Sequence, residues 1–135
     1  MDIFPTLLEM SNISMVDDRI MDGISIKNTL LNHEPSRRKT IFYYREREIY
    51  AVRHGDFKAH FIIQGAYNYP EGSDKKIVLQ KPLLFNLNID PSEKYNIVDK
   101  YPEILIEINQ IVESHKKNFI APKDLLNDRV VISEN

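Results

Sequence analysis

The feature that most constrains this chain is a change of hydrophobic period at Lys39. Downstream, three short runs rich in β-formers follow one another: TIFYYR (40–45), EIYAVR (48–53) and DFKAHFIIQ (56–64). The third alternates cleanly. Phe57, Ala59, Phe61 and Ile63 fall on one face and Lys58, His60, Ile62 and Gln64 on the other, because successive strand side chains point to opposite sides. Tight turns at 45–48 and at His54-Gly55 join the runs, so they read as an antiparallel meander with one face in a core. PLLFNL (82–87) supplies a fourth strand. Residues 65–81, with two glycines, a proline and a charge cluster, read as a long loop of the kind that decorates a binding face, although Ile77 to Leu79 would extend a strand.

The helical period returns near residue 102. Ile104, Ile108, Ile111, Val112, His115 and Phe119 recur at three- and four-residue steps, which predicts a helix from Pro102 to Phe119 with one apolar side. Pro102 and Glu103 suit its first turn, and Lys116 and Lys117 its last, where each charge contributes ~0.3–1 kcal/mol against the macrodipole. Packing that stripe on the apolar face of the meander gives an α+β class. The architecture is a small antiparallel four-stranded sheet against a long C-terminal helix, with short N-terminal helices.

Of those, the first is capped by Asp2, tolerates Pro5 in its first turn, and carries Ile3, Phe4, Leu7 and Leu8 as a stripe. Residues 13–23 read as a loop closed by the turn pair Asp22-Gly23. A second helix spans Ser25 to Leu31, and 32–38 is a polar connector. The 135 residues suit a single domain, 1–135, in which 120–135 reads equally as a short helix and strand or as a tail.

Composition removes several function classes. A formal charge of −2 lacks the basic stripe that phosphate backbones require, so no nucleic-acid partner is expected. No apolar run approaches the ~20 residues that span a bilayer, so no membrane partner is expected either. Without cysteine there are no disulfides, thiolate nucleophiles or Cys-based zinc sites. The first residues lack the basic and apolar regions of a secretory signal, so export of a parent protein would need a signal elsewhere. Asn12-Ile13-Ser14 matches a glycosylation sequon, a string common by chance.

Candidate chemistry is sparse. His33, His54, His60 and His115 show no metal-ligand spacing. His115 falls on an apolar helical stripe and reads as a packing residue, and His54, before a turn glycine, as exposed. Lys58, His60 and Gln64 share one strand face, and a cation, an imidazole and an amide on a rigid face suit an anionic substrate. A solvated sheet face is the competing reading, since polar alternation produces one anyway. Asp17-Asp18 has no further acid in a ligand pattern, and Pro35-Ser36-Arg37 lacks a nucleophile elbow, so both read as surface loop.

Two longer strings carry a resemblance. YAVRHGDFKAHFIIQG (50–65) and PLLFNLNIDPSEKYN (82–96) are similar to the C-terminal region of the arylsulfatase family. There, a Leu-Tyr/Phe-Asp/Asn-Leu strand end, matched by Leu84-Phe85-Asn86-Leu87, runs into Asp-Pro-x-Glu-x-x-Asn, matched by Asp90, Pro91, Glu93 and Asn96. Lys58-Ala59-His60-Phe61 matches a strand of the same family. Asp2 to Leu8 and Asp22-Gly23-Ile24-Ser25 match the helix and the Asp-Gly-x-Ser step before its sheet.

The resemblance implies a formylglycine, formed within Cys/Ser-x-Pro-Ser/Ala-x-Arg, and a calcium ion, both in a catalytic subdomain upstream. In this chain His33 stands where the nucleophile precursor would be. The expectation is a C-terminal sulfatase subdomain, inactive alone, whose partner is the catalytic subdomain and which forms the outer wall of a pocket for a sulfated sugar or aryl sulfate. Lys58, His60 and Gln64 are its substrate-facing residues; Asp90, Pro91, Glu93 and Asn96 read as a structural motif that sets the approach to the last helix. The first helix should present an apolar face to that partner. The alternative is a free-standing binding or assembly module that retains the fold, for sulfated glycans; self-association through the exposed surface fits either.

Overall fold

The three β-rich runs form β1 (Thr40–Arg45), β2 (Glu48–His54) and β3 (Phe57–Ile63), and β4 (Ile77–Asn86) completes a four-stranded antiparallel sheet ordered β1-β2-β3-β4. This is a computed structural model, and it describes residues 1–15, 18, 21–65, 72 and 74–119. Residues 66–71 and 73 of the expected 65–81 loop, Asp17 and the 120–135 segment lie outside the described residues. The helices are α1 (Ile3–Met10), α2 (Lys27–Asn32) and α3 (Pro102–Asn118). None is long and apolar enough to cross a membrane.

The fourth strand starts at Ile77 rather than Pro82. Ile77 and Val78 pair with Ile63 and Ile62, and after a register shift Leu83 to Asn86 pair with His60 to Phe57. From Val78 to Leu83 the strand advances five positions while β3, from Ile62 to His60, advances two. Pro82, which has no N–H for a ladder, falls in that bulge. The loop signal overruns the start of β4 because the proline interrupts the strand's register without ending the strand.

Two compact units are present. One holds Phe42–Val52 and the described residues from Asp56 onward. Its core is Val52, Ala59, Leu84, Val98, Ile108 and Val112, with Phe57, Phe61, Ile104 and Leu105 packed around it. Sheet and helix therefore share one apolar layer, and burying a side chain such as Ile108 contributes ~1.5–3 kcal/mol. His115 is a packed residue. Its ring stacks on Phe42 at 3.8 Å between centroids, and its Nε2 lies 2.8 Å from the Tyr44 hydroxyl.

The other unit, Met1–Ile41 with Arg53–Gly55, is held by polar contacts. Asp2 precedes α1 but makes no side-chain cap. Its carboxylate instead accepts from Arg38 Nε at 2.8 Å, from Arg38 Nη2, and from the Ile24 N–H at 3.0 Å. A guanidinium delivers two bonds in which donor and acceptor are both charged, where capping delivers one in which only the carboxylate is. The Asp2 pKa is lowered, first by the hydrogen bond from Arg38; burial opposes this, and the Ile24 N–H adds to it. Thr6, buried, donates to the Asp2 carbonyl at 2.6 Å and accepts from the Ile26 N–H at 3.0 Å.

Gly23 is present for closeness rather than for a turn: a Cβ there would sit 2.3 Å from the Met1 carbonyl oxygen. His54, expected to be merely exposed, is part-buried with its Nδ1 2.8 Å from Thr40 Oγ1. Arg38, placed by sequence in an exposed connector, is the ligand of Asp2 and also donates to the Asp22 carbonyl at 2.9 Å.

Candidate functional site

Lys58 and His60 alternate with the core residues Phe57, Ala59 and Phe61 on β3, so both point away from the core. That face is not simply solvated. Ala51, Ile62 and Phe85 are buried yet stand outside the core cluster. The Lys58 and His60 side chains keep only 15% and 22% of their exposure. Lys58 Nζ lies 4.7 Å from the centre of the Tyr43 ring, and the His60 ring meets the Phe85 ring edge-on at 5.8 Å.

What joins the two is Glu93. One carboxylate oxygen accepts from Lys58 Nζ at 2.7 Å, and the other bonds His60 Nε2. Glu93 reaches them from a turn built by its neighbours. Asp90 opens the turn, with Pro91 next, and the Glu93 N–H bonds the Asp90 carbonyl at 3.1 Å. The Asp90 carboxylate then accepts the Tyr95 N–H at 2.9 Å. Asn96 Oδ1 accepts the N–H groups of Leu84 at 3.0 Å and Val98 at 3.2 Å, tying the segment to β4 and to the approach to α3.

Glu93 itself has φ +55°, in the left-handed region that favours glycine or asparagine. Burial pushes its pKa up, but the hydrogen bonds and charges of Lys58 and His60 outweigh burial and hold the carboxyl below the usual range.

Gln64 is not part of this group. Its amide donates to the Asp74 carbonyl at 2.6 Å and its oxygen accepts the Tyr50 hydroxyl at 2.6 Å. Of the three residues grouped by strand parity, the structure brings two together and sends the third, just beyond the end of β3, elsewhere. Sequence alone presents Glu93 only as a turn residue. The available signal was electrostatic: two basic side chains on a half-buried face require a counter-charge.

Elsewhere in this unit, an open groove of about 410 Å³ lies along α3, lined by Tyr44, Ile49, Phe61, Val78, Val112 and Phe119 among others. Lys58, His60 and Glu93 do not line it. Among the described residues no three His, Cys, Asp or Glu side chains cluster so as to hold a metal ion.

Residues 36–134 match a family model described as the C-terminal region of aryl-sulfatase. The chain is 32% identical over 125 residues to arylsulfatase A of Bos taurus, covering 84% of this chain and 24% of that protein. It is 29% identical over 146 residues to N-acetylgalactosamine-6-sulfatase of Mus musculus, covering 94% and 28%. Among solved structures, a Bacteroides thetaiotaomicron protein from work on the metabolism of multiple glycosaminoglycans superposes with a TM-score of 0.66 at 28% identity, covering 86% and 24%. The chain thus spans about a quarter of the length of the relatives it matches.

Proposed function

Because the chain belongs to the sulfatase family as its C-terminal region, we propose that it works joined to a sulfatase catalytic subdomain, in hydrolysis of a sulfate ester on a sugar or aryl alcohol. The observation that carries this is coverage: sulfatases match nearly all of this chain with only a quarter of their own length. Sulfate ester hydrolysis needs a nucleophile and stabilisation of developing charge. The calcium and formylglycine that the family implies do not fit the donor set here. The chain has no cysteine, its Pro35-Ser36-Arg37-Arg38 string has His33 in place of a Cys or Ser, and the described residues offer no metal-ligand cluster. Both belong to the catalytic subdomain.

This chain's share is structure and the outer pocket wall. Lys58 and His60 are suited to the wall because Glu93 and the flanking rings hold them in one orientation. Gln64, fixed by Tyr50 and Asp74, stands at the end of the same strand. The substrate class follows the relatives' names, which include an arylsulfatase and a sulfatase of a 6-sulfated amino sugar. The surface that meets the catalytic subdomain is the apolar face of α1, where Ile3, Phe4 and Leu7 stand exposed.

The test is hydrolysis of a chromogenic aryl sulfate, with calcium, by this chain alone and mixed with a matching catalytic subdomain. Turnover is expected only from the mixture, and Lys58→Ala should then raise KM for the aryl sulfate about tenfold or more, the ~1.5–3 kcal/mol of a hydrogen bond to a charged group, while His60→Ala should raise KM for a sulfated sugar. Turnover by the chain alone would sink the reading. Saturable binding of a sulfated glycan by the chain, with no effect on the catalytic subdomain, would favour a free-standing binding module instead.

A further inference from the structure

The three members of the Lys58–Glu93–His60 group have unequal hydrogen-bonding capacity, and that inequality fixes where a proton sits. A lysine ammonium only donates, and an ionised carboxylate only accepts. Glu93 is ionised at neutral pH, because its two partners outweigh the effect of burial. The hydrogen between Glu93 and His60 Nε2 must therefore belong to Nε2. While the imidazole is neutral this leaves Nδ1 bare, an acceptor, whereas an imidazolium would carry a hydrogen on both nitrogens. Among the described residues Nδ1 has no hydrogen-bond partner. The left-handed backbone at Glu93, which costs ~1–3 kcal/mol in a residue with a side chain, persists because the Asp90 turn and two charge-assisted bonds hold it.

We propose that Glu93 is a positioning residue that fixes His60 as the Nε2–H tautomer, so that Nδ1 accepts from a hydroxyl of a sugar rather than binding the sulfate. The inference rests on the reading that this face belongs to the pocket wall. Sulfate oxygens are all acceptors and would meet the lone pair of Nδ1 unfavourably, whereas a sugar hydroxyl donates to it. Lys58, with donors beyond the one given to Glu93, is the group suited to the anion. The pair would thus read two parts of one substrate, a charge and a neutral hydroxyl.

Nitrogen NMR of the histidine side chains in the full chain tests this, with His60 assigned by its loss in His60→Ala. The wild type should show Nε2 protonated and Nδ1 bare. Glu93→Gln keeps the shape of the side chain. Lys58 can only donate, so it should hold the amide oxygen and turn the NH2 toward His60 Nε2, which must then accept. The major tautomer should invert to Nδ1–H. An Nδ1–H wild type overturns the proposal without any variant, and so does a folded Glu93→Gln that keeps Nε2–H.

Titrations of the wild type with methyl glucoside and with inorganic sulfate then address the ligand. The Nδ1 signal should move with the glucoside and not with sulfate. Movement with sulfate alone overturns the ligand assignment. Inversion with neither probe moving Nδ1 overturns the ligand assignment and the pocket-wall reading together, whereas failed inversion overturns only the role of Glu93.

Discussion

Helix α3 buries Ile108 completely and Val112 to 5% exposure, whereas α1 leaves Ile3, Phe4 and Leu7 at 72%, 54% and 57%. Both helices carry an apolar stripe. The difference lies in what each unit supplies to cover the stripe. The sheet unit brings Val52, Ala59 and Leu84 to face α3, so its apolar surface is satisfied within the chain. The N-terminal unit is organised by a carboxylate, a guanidinium, a buried hydroxyl and a glycine at close approach, and its apolar face stays open. Apolar burial and polar clasps are thus two separate means of order here, and only the first explains itself without a partner.

The largest effect should come from the covered helix. Ile108→Ala removes a fully buried side chain and should lower the stability of the chain by about 3 kcal/mol in denaturant unfolding. A loss below 1 kcal/mol would mean that α3 is no better covered than α1, and the contrast would collapse.

Arg38→Ala should be smaller, about 2 kcal/mol, for the part-buried ionic hydrogen bonds to Asp2. Hydrogen exchange should show the loss confined to the N-terminal unit. The pH dependence has a definite sign. The folded pKa of Asp2 lies below its unfolded value, so the clasp stabilises fully above the ordinary aspartate range and fades as pH falls through and below it. Arg38→Ala should flatten that acid limb; an unchanged limb would show that the clasp is not what titrates.

Smallest is Leu7→Gln, which should change the chain's own stability by less than about 0.5 kcal/mol, since the side chain is already exposed. The same substitution should weaken association with a catalytic subdomain at least tenfold, read by titration calorimetry. A large stability loss in the isolated chain would show that the stripe is covered after all.

Much of this was legible in the residues. Alternation along DFKAHFIIQ placed Ala59 in the core and Lys58 and His60 away from it, because strand parity is a local property of the backbone. The helical stripe from Ile104 to Val112 identified the face of α3 that is buried, for the same local reason. The start of β4 at Ile77 is not a local property, since a register with Ile62 and Ile63 belongs to two strands together.

By itself the sequence determined the elements, their faces, the α+β class and the resemblance in Asp90, Pro91, Glu93 and Asn96, all carried by short-range pattern. Only the tertiary structure decided partners. It gave Asp2 to Arg38 across 36 positions rather than to its own helix, and Glu93 to Lys58 and His60 across 35 and 33. It also sent Gln64 to Tyr50. The physical reason is that a charge seeks the best available counter-charge in three dimensions, and distance along the chain does not enter Coulomb's law.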